Sequence, residues 1–264
     1  MKTNRELITH VDPKAPVSET FRTLRTNIQF MSTTRKLKTI LVTSTSPREG
    51  KSLTASNLAV TFAQAGNSVI LIDADMRKGR LHQIFGVPPV PGLSNYLYGV
   101  ALEGKQKRFL SQFTQKTEIE NLVLMPAGNV PPNPSELLVS DQMKNLLKDV
   151  REKYDIVIID GTPCELVTDS IILSTIVDAT IIVASYKETK KENLNRIIKN
   201  IKNVKGHLLG VVLNKVPVSK KKYSERYYYD SGSFYGKKED SPATDDEILL
   251  SEIDDFVEKS KKDL

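Results

Sequence analysis

The stretch Thr39-Ile-Leu-Val-Thr-Ser-Thr-Ser-Pro-Arg-Glu-Gly-Lys-Ser52 passes from a short β-branched run into a Gly-Lys-Ser tripeptide, and a helical pattern follows from Lys51 to about Ala65. Strand, loop and helix in that order match a P-loop, with Thr45 where the general pattern has its first glycine. The chemistry explains the residue types. Successive backbone amides at a helix N-terminus wrap phosphate oxygens, and the helix dipole favours their charge. Ser46, Pro47, Arg48, Glu49, Gly50, Lys51, Ser52 and Leu53 are therefore the expected nucleotide-contacting residues. Lys51 reaches the β- and γ-phosphates, and the Ser52 hydroxyl is a direct Mg²⁺ ligand.

The same alternation continues outward. Strands are expected at 69–73, 121–125, 155–160, 180–184 and 208–213, and helices at 135–153, 170–177 and 190–203. Near-continuous apolar strands separated by helices require a mainly parallel sheet covered on both faces. The spacing predicts a doubly wound α/β domain over residues 36–217. Residues 1–35 form a segment of their own, in which 17–33 reads as an amphipathic helix with Phe21, Leu24, Ile28 and Met31 on one stripe.

Two further strand ends carry acids toward the loop. Ile70-Leu-Ile-Asp-Ala-Asp-Met-Arg77 puts Asp73 and Asp75 two residues apart, on one side of an extended strand end. Asp155-Ile-Val-Ile-Ile-Asp160 is an apolar strand closed by a carboxylate, the Walker B form. Ligands of open parallel sheets bind at the carboxyl ends of the strands, so Asp73, Asp75 and Asp160 should face Lys51 and Ser52. Three carboxylates exceed what one Mg²⁺ needs, which leaves one to act as a base or to orient a nucleophile.

Composition narrows the class. The chain has 264 residues, 39% hydrophobic and 27% charged, which is ordinary for a globular protein and unlike a disordered one. No apolar run approaches the roughly 18–20 residues that span a bilayer. The first residues lead into no apolar signal region, and Cys164 is the single cysteine, so a cytoplasmic protein without disulfides is expected. Residues 239–264 carry a formal charge of −7, which leaves +13 for residues 1–238. A basic body with an acidic end points to an anionic ligand, an anionic membrane surface, or contact between copies.

Past Pro217 the aliphatic pattern stops. Residues 218–238 hold Tyr223, Tyr227, Tyr228, Tyr229 and Tyr235, five of the nine tyrosines, among lysines and glycines, and read as a flexible tail. Residues 239–264 form an acidic extension in which 245–258 has an amphipathic helical spacing.

These features together resemble the bacterial tyrosine kinases (BY-kinases), P-loop autokinases of capsule and exopolysaccharide synthesis. The resemblance rests on Lys51-Ser52, Asp73-x-Asp75-x-Arg77, Asp160, Pro131-Pro-Asn-Pro-Ser-Glu-Leu-Leu138, Gly210-Val-Val-Leu-Asn214 and Glu19-x-x-Arg22-x-x-Arg25. It implies transfer of phosphate from Mg·ATP to tyrosines, mainly those of the tail, between subunits of a ring (an octamer). By resemblance Asp75 and Asp160 order the metal's water shell, and Asp73 accepts or orients the phenolic proton. Arg77 steadies the phosphates or a neighbouring carboxylate; Asn214 meets the adenine, with Pro217 packing beside it. Glu19, Arg22 and Arg25 join adjacent subunits, and Tyr223, Tyr227, Tyr228, Tyr229 and Tyr235 accept phosphate. It further implies a membrane adaptor that activates the kinase and recruits it to the inner face of the cell membrane. No nucleic-acid partner is expected.

Two positions depart from the family pattern. Arg48 stands where glycine is usual: it is strained by about a kcal/mol or more if that residue needs a positive φ, or its guanidinium adds a phosphate contact. Asp160-Gly-Thr-Pro-Cys164 replaces Asp-Thr-Pro-Pro, and the added glycine is expected to loosen the loop after Asp160. Two other readings share the fold. A septum-placing or plasmid-partition ATPase would carry a second lysine at the place of Ser46, and a nucleotide-binding scaffold would transfer nothing.

Overall fold

Strand β1 (Thr39–Ser44) lies at the heart of the sheet, and all six of its residues are buried in the computed structural model, which describes residues 5–32, 36–103 and 109–217. Its neighbours β5 (Ile156–Pro163) and β6 (Ala179–Ser185) are buried along their whole lengths, as is β2 (Val69–Asp73). With β3 (Gln115–Lys116), β4 (Leu122–Met125) and β7 (Leu208–Asn214), the sheet runs in the order β3-β4-β2-β5-β1-β6-β7. Every pairing is parallel except that of the two-residue β3 with β4. The doubly wound, mainly parallel architecture expected from the apolar pattern is present.

The strand period of two sorts the core into two layers. Ile40, Val42, Leu71 and Ile158 face a layer containing Leu58 and Phe62 of α3 (Lys51–Gln64). Leu41, Ile70, Ile72, Val157 and Ile159 face the other layer, with Leu138, Leu146 and Val150. Each fully buried aliphatic side chain contributes roughly 1.5–3 kcal/mol by leaving water. α2 (Pro16–Met31) lies on the first layer, where Ile28 is buried and Leu24 packs beside it. Met31, expected on that stripe, is exposed. Among the described residues no helix is long and apolar enough to cross a membrane.

Three expectations need correction. The helix expected over 135–153 is two: α6 (Pro134–Val139) and α7 (Asp141–Lys153). Ser140 breaks it, adopting an extended backbone (ψ 156°) and accepting the Met143 amide as the N-cap of α7. Short helices α1 (Ile8–Val11) and α4 (Leu81–Phe85), and the longer α5 (Leu93–Glu103), were not expected at all. Nor does Gly161 loosen anything. β5 continues, buried, through Pro163, and the added residue is absorbed as a bulge: Val42 pairs with Asp160, but Ser44 pairs with Pro163. A Cβ on Gly161 would stand 2.3 Å from the Ser170 hydroxyl, which receives the Thr162 amide at 2.8 Å. Glycine is what lets the bulged strand lie against α8 (Asp169–Ser174). The tyrosine cluster and the acidic extension lie outside the described residues.

Candidate functional site

The loop after β1 turns sharply before α3. Arg48 has φ 65° and Gly50 has φ 101°, with Glu49 between them, so left-handed residues alternate along the loop. That alternation turns successive amides toward one concave side, an anion-binding nest. The first-turn amides of α3 add to it, since no preceding carbonyl within the helix takes them. Pro47 and Arg48 are exposed at the rim, Ser46, Gly50 and Leu53 are half-buried, and Glu49 and Ser52 are buried. Arg48 does occupy a left-handed conformation, so the glycine-to-arginine departure carries backbone strain.

Lys51 lies across the mouth of the nest. Its Nζ is 3.2 Å from Asp75 Oδ2, 3.3 Å from Asp160 Oδ1 and 3.2 Å from the Ser52 hydroxyl. The sheet makes this meeting possible, because β2 and β5 are neighbours and Asp73 and Asp160 are register partners at their carboxyl ends. Asp160 has no exposed surface, and burial pushes its carboxyl up against the opposing pull of Lys51 and Ser52. Burial also works against the Lys51 charge, but Asp160, Asp75 and Asp73 outweigh it and hold the ammonium above its ordinary value.

Asp73 is placed differently from its two companions. It is fully buried, with Oδ1 accepting the Asp75 amide at 3.2 Å and Oδ2 the Leu81 amide at 3.0 Å. Burial first, then the Asp160 charge, push its carboxyl up to about 8. In this conformation it supports the loop that carries Asp75. Arg77 turns away from Lys51: Nε donates to Asp169 at 3.0 Å and Nη2 to the Ser135 hydroxyl at 3.2 Å. Of its two expected roles, the neighbouring carboxylate is the one it fills here. The Pro131–Leu138 motif thereby gains a reason, since Ser135 also donates to Asp169 at 2.6 Å.

Asn214 closes the other side of the loop. Its Nδ2 donates to the Glu49 carbonyl at 2.8 Å, and Pro217 is exposed three residues further on. In α2, Arg22 pairs with Glu19 and donates to the Pro13 carbonyl at 2.7 Å, while Arg25 donates inward to the Thr61 carbonyl at 3.0 Å. Only Glu19 of these three is largely exposed. Asp169, Glu165 and Thr189 had no sequence signal, and Ser135 had one only as part of the Pro131–Leu138 motif, with no role assigned to it. Glu165 accepts from Ser46 and, on its other oxygen, from Asn193 at 2.9 Å and Arg196 at 3.1 Å.

Among the described residues no group of three or more His, Cys, Asp or Glu side chains is placed to hold a metal unaided. The donors that do converge are Ser52, Asp75 and Asp160, a small set of hard oxygens. Such a set suits Mg²⁺, which keeps several waters and takes the rest of its shell from phosphates.

Comparison with known proteins agrees with this geometry. Residues 37–213 match the AAA domain family AAA_31. The chain is 38% identical to tyrosine-protein kinase YwqD of Bacillus subtilis, over 89% of this chain and 95% of that protein. It is 35% identical to tyrosine-protein kinase CpsD of Streptococcus pneumoniae, over 83% and 92%. Among solved structures, the chimerical protein CapA2B2 superposes with a TM-score of 0.75 at 37% identity, covering 81% of this chain and 91% of that one. The kinase domain of Escherichia coli ETK gives 0.74 at 28%, covering 83% and 85%. McdA of Cyanothece with ATP, at 22% identity and a TM-score of 0.57, shares the fold alone. A nucleotide loop, a Walker B acid and relatives matched nearly end to end converge on one conclusion: this chain belongs to the bacterial tyrosine kinases, on an AAA-type P-loop fold.

Proposed function

We infer that the protein transfers the γ-phosphoryl group of Mg·ATP to Tyr223, Tyr227, Tyr228, Tyr229 and Tyr235 of a neighbouring copy in a ring oligomer, and so regulates capsular or exopolysaccharide synthesis and export. The observation that carries the reading is Lys51, set at the start of α3 within 3.3 Å of both Asp75 and Asp160. With nucleotide bound, Lys51 moves to the phosphates, where it and the loop amides stabilise the transferring group. Ser52 would hold Mg²⁺, with Asp75 and Asp160 ordering its water shell, and the ion would neutralise charge developing on the phosphates. Asp73 takes or orients the phenolic proton, which requires the loop 74–81 to lift from it. Asn214 and Pro217 flank the adenine.

Glu19, Arg22 and Arg25 join adjacent subunits by exchanging the contacts they make within one chain. A separate membrane adaptor recruits this chain to the inner face of the membrane, a reading that the chimerical make-up of the relative CapA2B2 supports. Phosphotyrosine mapping after incubation with Mg·ATP, beside Lys51→Met, tests the reading. Phosphate on the tail of the wild type and none on the variant is the expected result. Orthophosphate without phosphotyrosine would favour a positioning ATPase, and neither product a scaffold.

A further inference from the structure

An acid inside a loop built to receive phosphate needs a reason, and Glu49 is such an acid, 4% exposed between Arg48 and Gly50. Its carboxylate is held by neutral donors. The Thr45 hydroxyl lies 2.6 and 2.7 Å from its two oxygens, the Ser46 amide donates at 2.9 Å, and the Thr189 hydroxyl donates from across the loop. A buried carboxylate without such bonds would be costly, so these contacts are a condition of its presence.

Each donor sits on a segment that matters to the site. Thr45 and Ser46 begin the loop. Thr189 belongs to the turn between β6 and α9 (Lys191–Asn203), where its hydroxyl also accepts the Ser185 amide at 2.7 Å. The main-chain carbonyl of Glu49 receives Asn214 at the end of β7. One residue thus joins the loop to two neighbouring strand ends. The loop needs that support. Arg48 is left-handed at φ 65°, and such strained conformations persist only where their surroundings over-determine them.

We propose that Glu49 is a positioning residue which, through its bond to Thr189, holds residues 45–50 in the shape that presents the loop amides from Arg48 onward to the phosphates, and so sets nucleotide affinity. The proposal rests on the nucleotide-binding reading above and deepens it. Glu49 acts through the backbone it holds and does not touch the transferred group.

Thr189→Val tests the contact from outside the loop, removing a hydroxyl at nearly constant shape. Titration with a fluorescent ATP analogue and steady-state phosphorylation at varied ATP are the measurements, with a thermal melt of each variant. Thr189→Val should raise Kd and KM for ATP about tenfold with kcat within about twofold, the loss expected for one hydrogen bond to a buried carboxylate. Thr189→Ser should restore binding to near wild type. Glu49→Ala should show a similar loss, and the double variant should be no weaker than the weaker single, because the two side chains act through each other. If Glu49→Ala fails to fold, the Thr189 pair carries the test alone. Wild-type affinity in Thr189→Val, losses that multiply in the double variant, or a loss confined to kcat would overturn the proposal. A wild-type protein that binds no nucleotide would instead remove the reading beneath it.

Discussion

The side-chain amide of Asn214 occupies space that exists only because Gly50 has no Cβ: a Cβ built there would stand 2.0 Å from Asn214 Nδ2. Gly50→Ala must therefore expel Asn214 from the Glu49 carbonyl and also strain a residue at φ 101°. Because the colliding atom ends a movable side chain, the fold should survive with Tm lower by a few degrees. Nucleotide affinity should fall by at least about 100-fold, since both the nest and its lateral support are disturbed. Nucleotide titration checks this; binding within threefold of wild type would contradict it.

Arg77 and Asp169 form a bond that lysine cannot copy. The guanidinium reaches Asp169 and Ser135 at once, and Asp169 is 1% exposed. Asp169→Ala should cost about 2–3 kcal/mol, below the full value for a buried pair because Arg77 is partly solvated. Arg77→Lys should lose most of the same stability. Urea unfolding of both variants at pH 7 provides the comparison.

Asp178 supplies a pH-dependent contribution. It accepts the amides of Lys38 and Thr39, each at 2.9 Å, and Arg151 at 2.8 Å. Burial pushes its carboxyl up, but the Thr39 and Lys38 amides and Arg151 outweigh this and hold it below the ordinary value of 3.8. Because the folded value is depressed, its stabilisation is present above the unfolded value and is lost as pH falls through the folded one. Asp178→Asn should cost about 1.5–3 kcal/mol at pH 7. The gap from wild type should narrow below about pH 4. A gap that stays constant from pH 7 to pH 3 would refute this.

Cys164 should be inert in the folded protein. Burial pushes its thiol up to about 11, and the Thr43 hydroxyl lies 3.2 Å from Sγ. Since the thiolate is the reactive species, a disulfide reagent at pH 8 should modify native Cys164 at least about 100-fold more slowly than the urea-unfolded chain. Comparable rates would show that the site opens readily.

The alternation of strands and helices was legible because four central strands are buried on both faces and read as unbroken apolar runs. Lys51, Asp75 and Asp160 were legible for a related reason, as the rule for strand carboxyl ends brings them together without knowledge of side-chain packing. The inward turn of Asp73 was not, because spacing places a side chain on a face but cannot say which amides it will accept. Ser140 was missed because a serine inside an apolar pattern reads as a tolerated helical residue until its ψ shows it to be a cap. Asp169, Glu165 and Thr189 carry no motif. Their importance is wholly tertiary, set by which loops the sheet order makes adjacent.

The ammonium of Lys51, already engaged by two acids, gives this crevice a lock. Under the proposed function, a triphosphate arriving there would not simply settle in; it would draw the lysine off Asp75 and Asp160, leaving those acids to find another counter-charge. Capture is an exchange of partners, timed by how readily the lysine lets go as much as by how closely the loop can wrap.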